Sequence, residues 1–254
     1  MCLLVVLSRV VPGFPLIVAA NRDERLDRPA VPMDVLRATA PRTLGGRDGL
    51  AGGTWLAVNE DGVVAGLTNR PNPDGRDESK RSRGELPLAL TAYRDVGSAV
   101  DAFVVEHDPS AYNAAWLFVG DRTSLVAIDV TDGPRPAAVE LPPGIHVLEN
   151  RAYGAPSVKV DRVNELLANV TSLPASDVPA RLWQVLADHQ IPDVATDVLE
   201  RPREVNAACV HTEGYGTRWS AVIVVAADAV RRPSFTYTDG PPCTSSRRDV
   251  VWHA

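Results

Sequence analysis

Short aliphatic runs alternate with dense polar stretches along this chain. "CLLVVLS" and "PLIVAAN" flank the segment Val10 to Phe14, with Pro12-Gly13 at its centre. Aliphatic and β-branched runs of this length around a turn predict two buried strands in a hairpin, with Cys2 at the beginning of the first. Residues 25 to 52 are rich in Arg, Pro, Gly and Asp and predict an ordered but irregular loop. "TWLAVNEDGVVAGLTN" predicts two strands around a turn at Asn59 to Gly62, and "RPNPDGRDESKRSRGE" a mobile polar loop.

Helical spacing first appears at "ELPLALTAYRD" and "GSAVDAFVVEHD". Strand patterns follow at "AAWLFVGD", "SLVAIDV" and "GIHVLEN". Two amphipathic helices come next, in "SVKVDRVNELLANV" and "SDVPARLWQVLADHQ", and then closing strands in "RWSAVIVVAA" and "PSFTYTDG". The order of strands, helices, strands, helices and strands predicts a layered α+β fold, not alternating βαβ units. At 254 residues the expectation is one domain over 1–254.

Composition narrows the function. A formal net charge of -6 with 23% charged residues leaves no footprint for a polyanion, so nucleic acid is not an expected partner. Cys2, Cys209 and Cys243 show no C-x-x-C spacing, and the five histidines show no metal-like spacing, so neither a disulfide framework nor a metal site is expected. The apolar start lacks a basic n-region and is broken by Arg9 and Pro12-Gly13, unlike a signal peptide. No apolar run approaches the roughly 20 residues of a membrane span, and a cytoplasmic location is expected. Oligomeric state is not legible. Gly45-Gly46 and Gly52-Gly53 have no phosphate-loop context and are expected in tight turns.

The chemistry centres on Cys2. If Met1 is removed, Cys2 becomes the N-terminus, and its α-amine, with an ordinary pKa near about 8, is a built-in base for its own thiol. A small hydrophobe in a strand is the ordinary role of a free cysteine. The second strand, however, runs directly into Asn21, Arg22, Asp23 and Glu24, and polar residues there are costly unless paired. Antiparallel pairing of the two strands would set Cys2 beside Asn21 to Asp23. His146 and His211 are expected to be structural. Trp55, in "GGTWL", is expected to line a pocket, whereas Trp116, Trp183 and Trp219 are expected in the core.

The tetrapeptide "NRDE" at 21–24, with "DRPA" at 27–30, "GGTWLAVNEDGVVAGLTNR" at 52–70, "SRGEL" at 82–86, "HVLEN" at 146–150 and "YGTRWSAVIVV" at 215–225, resembles the NRDE family, also called the transport and Golgi organisation family. That family in turn resembles the N-terminal-nucleophile (Ntn) hydrolases of the choloylglycine hydrolase and penicillin V acylase branch. The resemblance implies a four-layer αββα sandwich and cleavage of an amide or other acyl bond of a small molecule. It implies Cys2 as nucleophile, Asp23 as the group holding the terminal amine, Asn69 and Asn150 beside the oxyanion, and Arg218 as a support. Asn21, Arg22 and Trp55 are expected to contact substrate. The branch has an arginine three residues before the aspartate, where this chain has Ala20; Arg22 is the substitute on offer, read as lying on the other side of the strand.

A second reading follows from the same resemblance, since members of the family are linked to haem movement and to lipid or acyl-CoA homeostasis. The pocket would then bind haem or a lipid without cleaving it. No resident cofactor is expected, haem entering as a ligand in this alternative. No C-x-x-C-H motif is present, so axial ligation would fall to a lone His, Cys, Met or Tyr.

Overall fold

In the computed structural model, which describes residues 2–71, 75–131, 133–191 and 202–252, the strands form two seven-stranded antiparallel sheets. The chain begins with β1 (Cys2–Val11) and β2 (Phe14–Arg25). It then runs through β3 (Ala30–Arg37), β4 (Thr43–Asp48), β5 (Leu56–Asn59), β6 (Val64–Asn69), β7 (Ala115–Gly120), β8 (Leu125–Val130) and β9 (Ala137–Glu140). Helices α1 (Glu85–Leu90) and α2 (Val96–Glu106) interrupt this series between β6 and β7. After β10 (Gly144–Leu148) come α3 (Val158–Leu167), α4 (Val178–Leu186), β11 (His211–Thr212), β12 (Tyr215–Val225), β13 (Ser234–Asp239) and β14 (Arg247–Asp249). One sheet has the order β10-β1-β2-β12-β13-β14, with β11 beside β12; the other keeps β3 to β9 in sequence.

The unbroken aliphatic character of β1 and β2 has a direct cause, because both faces of these strands are covered. Leu4 and Val6, with Leu16, Val18 and Ala20, face the other sheet and join Leu56, Val64 and Leu117 in the main core. Their neighbours Leu3, Val5, Leu7, Ile17 and Ala19 point the opposite way, onto Val163 and Leu167 of α3 and Leu182, Trp183 and Leu186 of α4. Burying one such leucine contributes about 1.5–3 kcal/mol. On the second sheet, α1 and α2 bury Leu86, Leu90, Val96, Ala99 and Phe103. The layers are therefore helices, sheet, sheet, helices, the α+β sandwich expected.

Three local expectations are corrected. Residues 25 to 52 are not an irregular loop but hold β3 and β4, whose signal was masked because β3 is an edge strand that tolerates Pro32. Gly45 and Gly46 lie inside β4, not in a turn: a Cβ on Gly45 would sit 2.5 Å from the Leu56 carbonyl oxygen, and one on Gly46 2.9 Å from the Met33 sulfur. Finally, β2 does not stop at Asn21 but continues through Arg25, paired with β12. The polar tetrapeptide is thus part of the sheet.

Candidate active site

Strand register assembles the site. Cys2 pairs with Arg22 across β1 and β2, while Arg22 and Asp23 pair with Trp219 and Thr217 of β12 around a register shift. Leu4 pairs with Leu148 of β10, and the same register carried two residues further brings Asn150 to Cys2. The Cys2 backbone N–H donates to Asn150 Oδ1 at 2.5 Å, and Asn150 Nδ2 donates to the carbonyl of Asn69 at the end of β6. One side-chain amide therefore ties the Cys2 nitrogen in one sheet to a strand end in the other.

Asp23 is held from behind. Thr217 Oγ1 donates to Asp23 Oδ1 at 2.7 Å, the Tyr215 hydroxyl donates to the Asp23 carbonyl at 3.1 Å, and Lys159 Nζ of α3 lies 3.7 Å from Oδ2. The Lys159 and Asp23 side chains are 1% and 0% exposed. A buried ammonium needs a nearby carboxylate, and Lys159 Nζ has no hydrogen-bond partner among the described residues, so attraction to Asp23 is what its position supplies. Sequence reading missed Lys159 because it is one residue of an amphipathic helix. Burial pushes the Cys2 thiol above its ordinary value and the Asp23 carboxylate adds to this, against the opposing pull of the chain's N-terminal ammonium, then of Arg22 and the Asp23 backbone N–H.

Cys2, Asp23, Glu24, Asn69, Arg83 and Asn113 line two adjoining cavities of about 300 and 260 Å³. Asn150 and Tyr215 close one; Arg22 and Trp55 close the other. Asn69, at the end of β6, lines both. Arg22 Nη2 donates to Glu24 and Asp48 at 3.3 and 3.0 Å, whereas its buried Nη1 has no hydrogen-bond partner among the described residues. Ala20 and Arg22 lie on the same, inter-sheet face, two residues apart on one strand, which corrects the reading that put them on different sides. Asn113, also missed from sequence, accepts from the Asp77 N–H at 2.9 Å and donates to the Asp77 carbonyl at 2.7 Å, so the stretch read as a mobile loop is tied down there.

Two expected residues are not brought to the cavity. Asn21 is fully buried on the helix-facing side of β2: its Nδ2 donates to the carbonyls of Leu186 and Ala208 at 2.9 and 2.7 Å, and its Oδ1 accepts from Ser220. Its place as a substrate contact is corrected by this alternation, which turns adjacent residues to opposite faces. Arg218 sits at the register shift of β12, half-buried, with its Nε unpartnered among the described residues and its side chain outside the lining of both cavities. His146 is structural as expected, its two ring nitrogens meeting the Tyr153 hydroxyl and the Pro142 carbonyl.

The two-sheet sandwich covered by helices has the fold of the Ntn-hydrolase class. Among solved structures it is similar to a Caenorhabditis elegans N-acylethanolamine-hydrolyzing acid amidase ortholog, with 15% identity, a TM-score of 0.57 and coverage of 91% of this chain and 98% of that one. It is also similar to a C2A mutant of the conjugated bile acid hydrolase from Clostridium perfringens, with 12% identity, a TM-score of 0.50 and coverage of 100% and 97%. At the level of sequence, the chain belongs to the Transport and Golgi organisation 2 family, whose model matches residues 1–235. Transport and Golgi organization protein 2 homologs from Bos taurus and Homo sapiens are 32% and 31% identical to it, each match covering 85% of this chain and 84% of the relative. No helix among the described residues is long and apolar enough to cross a membrane.

Proposed function

We propose that this protein is an N-terminal cysteine hydrolase acting on the amide or thioester bond of a small acidic molecule. The observation that carries the reading is the convergence of Cys2, Asp23, Asn69 and Asn150 on one cavity, with the Cys2 nitrogen seated on Asn150 Oδ1. While Met1 is attached this nitrogen is a peptide N–H and cannot act as a base. Removal of Met1 turns it into an amine held between Asn150 and the Asp23 side of the site. The thiol proton then passes to that amine as Sγ attacks the acyl carbon. Collapse of the tetrahedral intermediate sends the proton to the leaving group and leaves a thioester on Cys2, which water hydrolyses by the reverse transfer. The Asn69 amide and the Arg22 Nη1 proton are the donors suited to the oxyanion, since fixed N–H groups meet its charge as it develops.

The acidic character of the substrate comes from two arginines of the cavity lining. Arg76 and Arg83 line both recesses and neither pairs with a carboxylate among the described residues; Arg83 donates only to the Ala114 carbonyl at 3.2 Å. Burial, then the neighbouring Arg76, lowers the Arg83 guanidinium to about 10, which leaves it charged at neutral pH. Two such groups fit a carboxylate or phosphate. A porphyrin fits less well: charged and amide residues make up most of the lining, and of the described residues lining these cavities only Cys2 and Tyr215 carry an atom of axial type.

The test is a mass measurement of the N-terminal peptide, with alkylation of Cys2 followed against pH. The raised thiol should alkylate in protein that retains Met1 only as pH passes above the ordinary thiol range. In protein lacking Met1, the ammonium moves onto Cys2 itself, next to the thiol, and should bring the rise to lower pH. Turnover of an acidic amide or thioester by the Met1-free form alone is the expected result. Saturable sub-micromolar haem binding with no turnover across such a panel, by protein with a verified free Cys2, would overturn it.

A further inference from the structure

A second constellation lies outside this cavity. His189, three residues beyond α4, Cys209 and His211 at the entry to β11, and Cys243 in the loop between β13 and β14 each present a donor atom, and all four atoms lie within 4.8 Å of one another. Cys209 Sγ is 3.5 Å from His211 Nε2 and 3.9 Å from Cys243 Sγ, and Cys243 Sγ is 3.4 Å from the same His211 nitrogen. In a tetrahedron the donor-to-donor edge is fixed by the bond lengths: Zn–S of about 2.3 Å and Zn–N of about 2.0–2.1 Å give roughly 3.8 Å between sulfurs and 3.5 Å between sulfur and nitrogen. The three separations among Cys209, His211 and Cys243 match these edges, and the His189 donor lies within 4.8 Å of each.

Two further features point the same way. His189 Nδ1 lies 3.3 Å from the Cys209 carbonyl, which selects the tautomer with Nε2 free, and a ligating histidine commonly spends its other nitrogen on a backbone carbonyl in this manner. Cys209 and Cys243 are both free thiols, and 3.9 Å between sulfurs is far beyond the roughly 2.05 Å of a disulfide. A disulfide would also give no reason for two imidazoles to face the sulfur pair.

We propose that His189, Cys209, His211 and Cys243 bind a zinc ion with a structural role. Four protein ligands close the coordination shell, and an S₂N₂ tetrahedron suits zinc among the common divalent ions. Binding forms two Zn–S and two Zn–N bonds and releases two thiol protons to solvent, giving a complex with no net charge. The ion joins three segments far apart in sequence. One of them leads to the proposed active site: Val210, between two ligands, donates its N–H to Thr217 Oγ1 at 2.8 Å, and Thr217 in turn donates to Asp23. The sequence conceals the site because the ligands are spread over 55 residues from His189 to Cys243, with only Cys209 and His211 close together.

Untagged, reduced full-length protein tests this by elemental analysis, and by Co(II) titration after chelator stripping. About one zinc per chain is expected, with a tetrahedral ligand-field spectrum and a thiolate-to-cobalt band on titration. Cys243→Ser and His189→Ala should each weaken zinc binding by more than the roughly 10–100-fold of an outer-shell change, while Cys2→Ala leaves it unaltered. Zinc should raise the melting temperature of the wild type and not that of Cys243→Ser. If either variant fails to fold, the cobalt spectrum of the wild type decides. No uptake by stripped, reduced wild type, a cobalt spectrum without the thiolate band, or equal zinc affinity in folded Cys243→Ser would overturn the proposal.

Discussion

Cys2→Ala is expected to abolish turnover of any acyl substrate, by roughly 10⁴-fold or more in kcat, because Cys2 carries the only thiol among the described residues that line the cavity with Asn69 and Asn150. Cys2→Ser should retain a trace of activity, since a hydroxyl keeps the geometry but is a poorer nucleophile without strong base assistance. Both proteins should stay folded: residue 2 is at a strand end, and the neighbouring core positions Leu4 and Val6 are untouched. Steady-state kinetics alongside thermal melting checks this. Cys2→Ala with wild-type kcat would remove Cys2 from the reaction.

The largest stability effect is expected at the opposite end of the site. Lys159→Met should cost about 3–5 kcal/mol, the range for removing one partner of a buried ion pair, because Asp23 loses the ammonium 3.7 Å away. Asp23→Asn should cost a comparable amount by stranding Lys159. The double variant should be less destabilised than the sum of the two, and urea unfolding of the four proteins measures the coupling. Additive costs would show that the two side chains do not support each other. Cys2 alkylation in the same set separates roles: if Lys159 only positions Asp23, Lys159→Met should slow alkylation in its folded fraction less than Asp23→Asn does.

Much of this was legible because strand pairing is local at the N-terminus. A hairpin of a ten-residue and a twelve-residue strand joined by a Pro-Gly turn can pair in few ways, and that fixes Cys2 opposite Arg22. The same reasoning misplaced Asn21, because adjacent residues of a strand face opposite layers and only the assembled sandwich reveals which layer holds the cavity. Residues 25–52 were illegible for a different reason. An edge strand carrying a proline, and a strand carrying two glycines forced by a neighbouring carbonyl and a methionine sulfur, lack the β-branched pattern that announces a strand. Lys159 and Asn113 were beyond reach because each acts on a partner far away in sequence, Asp23 in one case and Asp77 in the other.

The two guanidiniums of the cavity lining, Arg76 and Arg83, have a kinetic consequence. The molecule as a whole carries a formal charge of -6, so an anion approaching from a distance meets repulsion, while near Arg76 and Arg83 it meets attraction. Salt weakens both fields, but it first suppresses contributions beyond the screening length, about 8 Å at physiological ionic strength. For an acidic substrate, added salt should therefore raise kcat/KM slightly at low ionic strength, as distant repulsion fades. It should then lower kcat/KM as screening reaches the arginines, whereas a neutral analogue gives a flat line. The position of that maximum would measure how far the influence of the cavity extends into the surrounding solution.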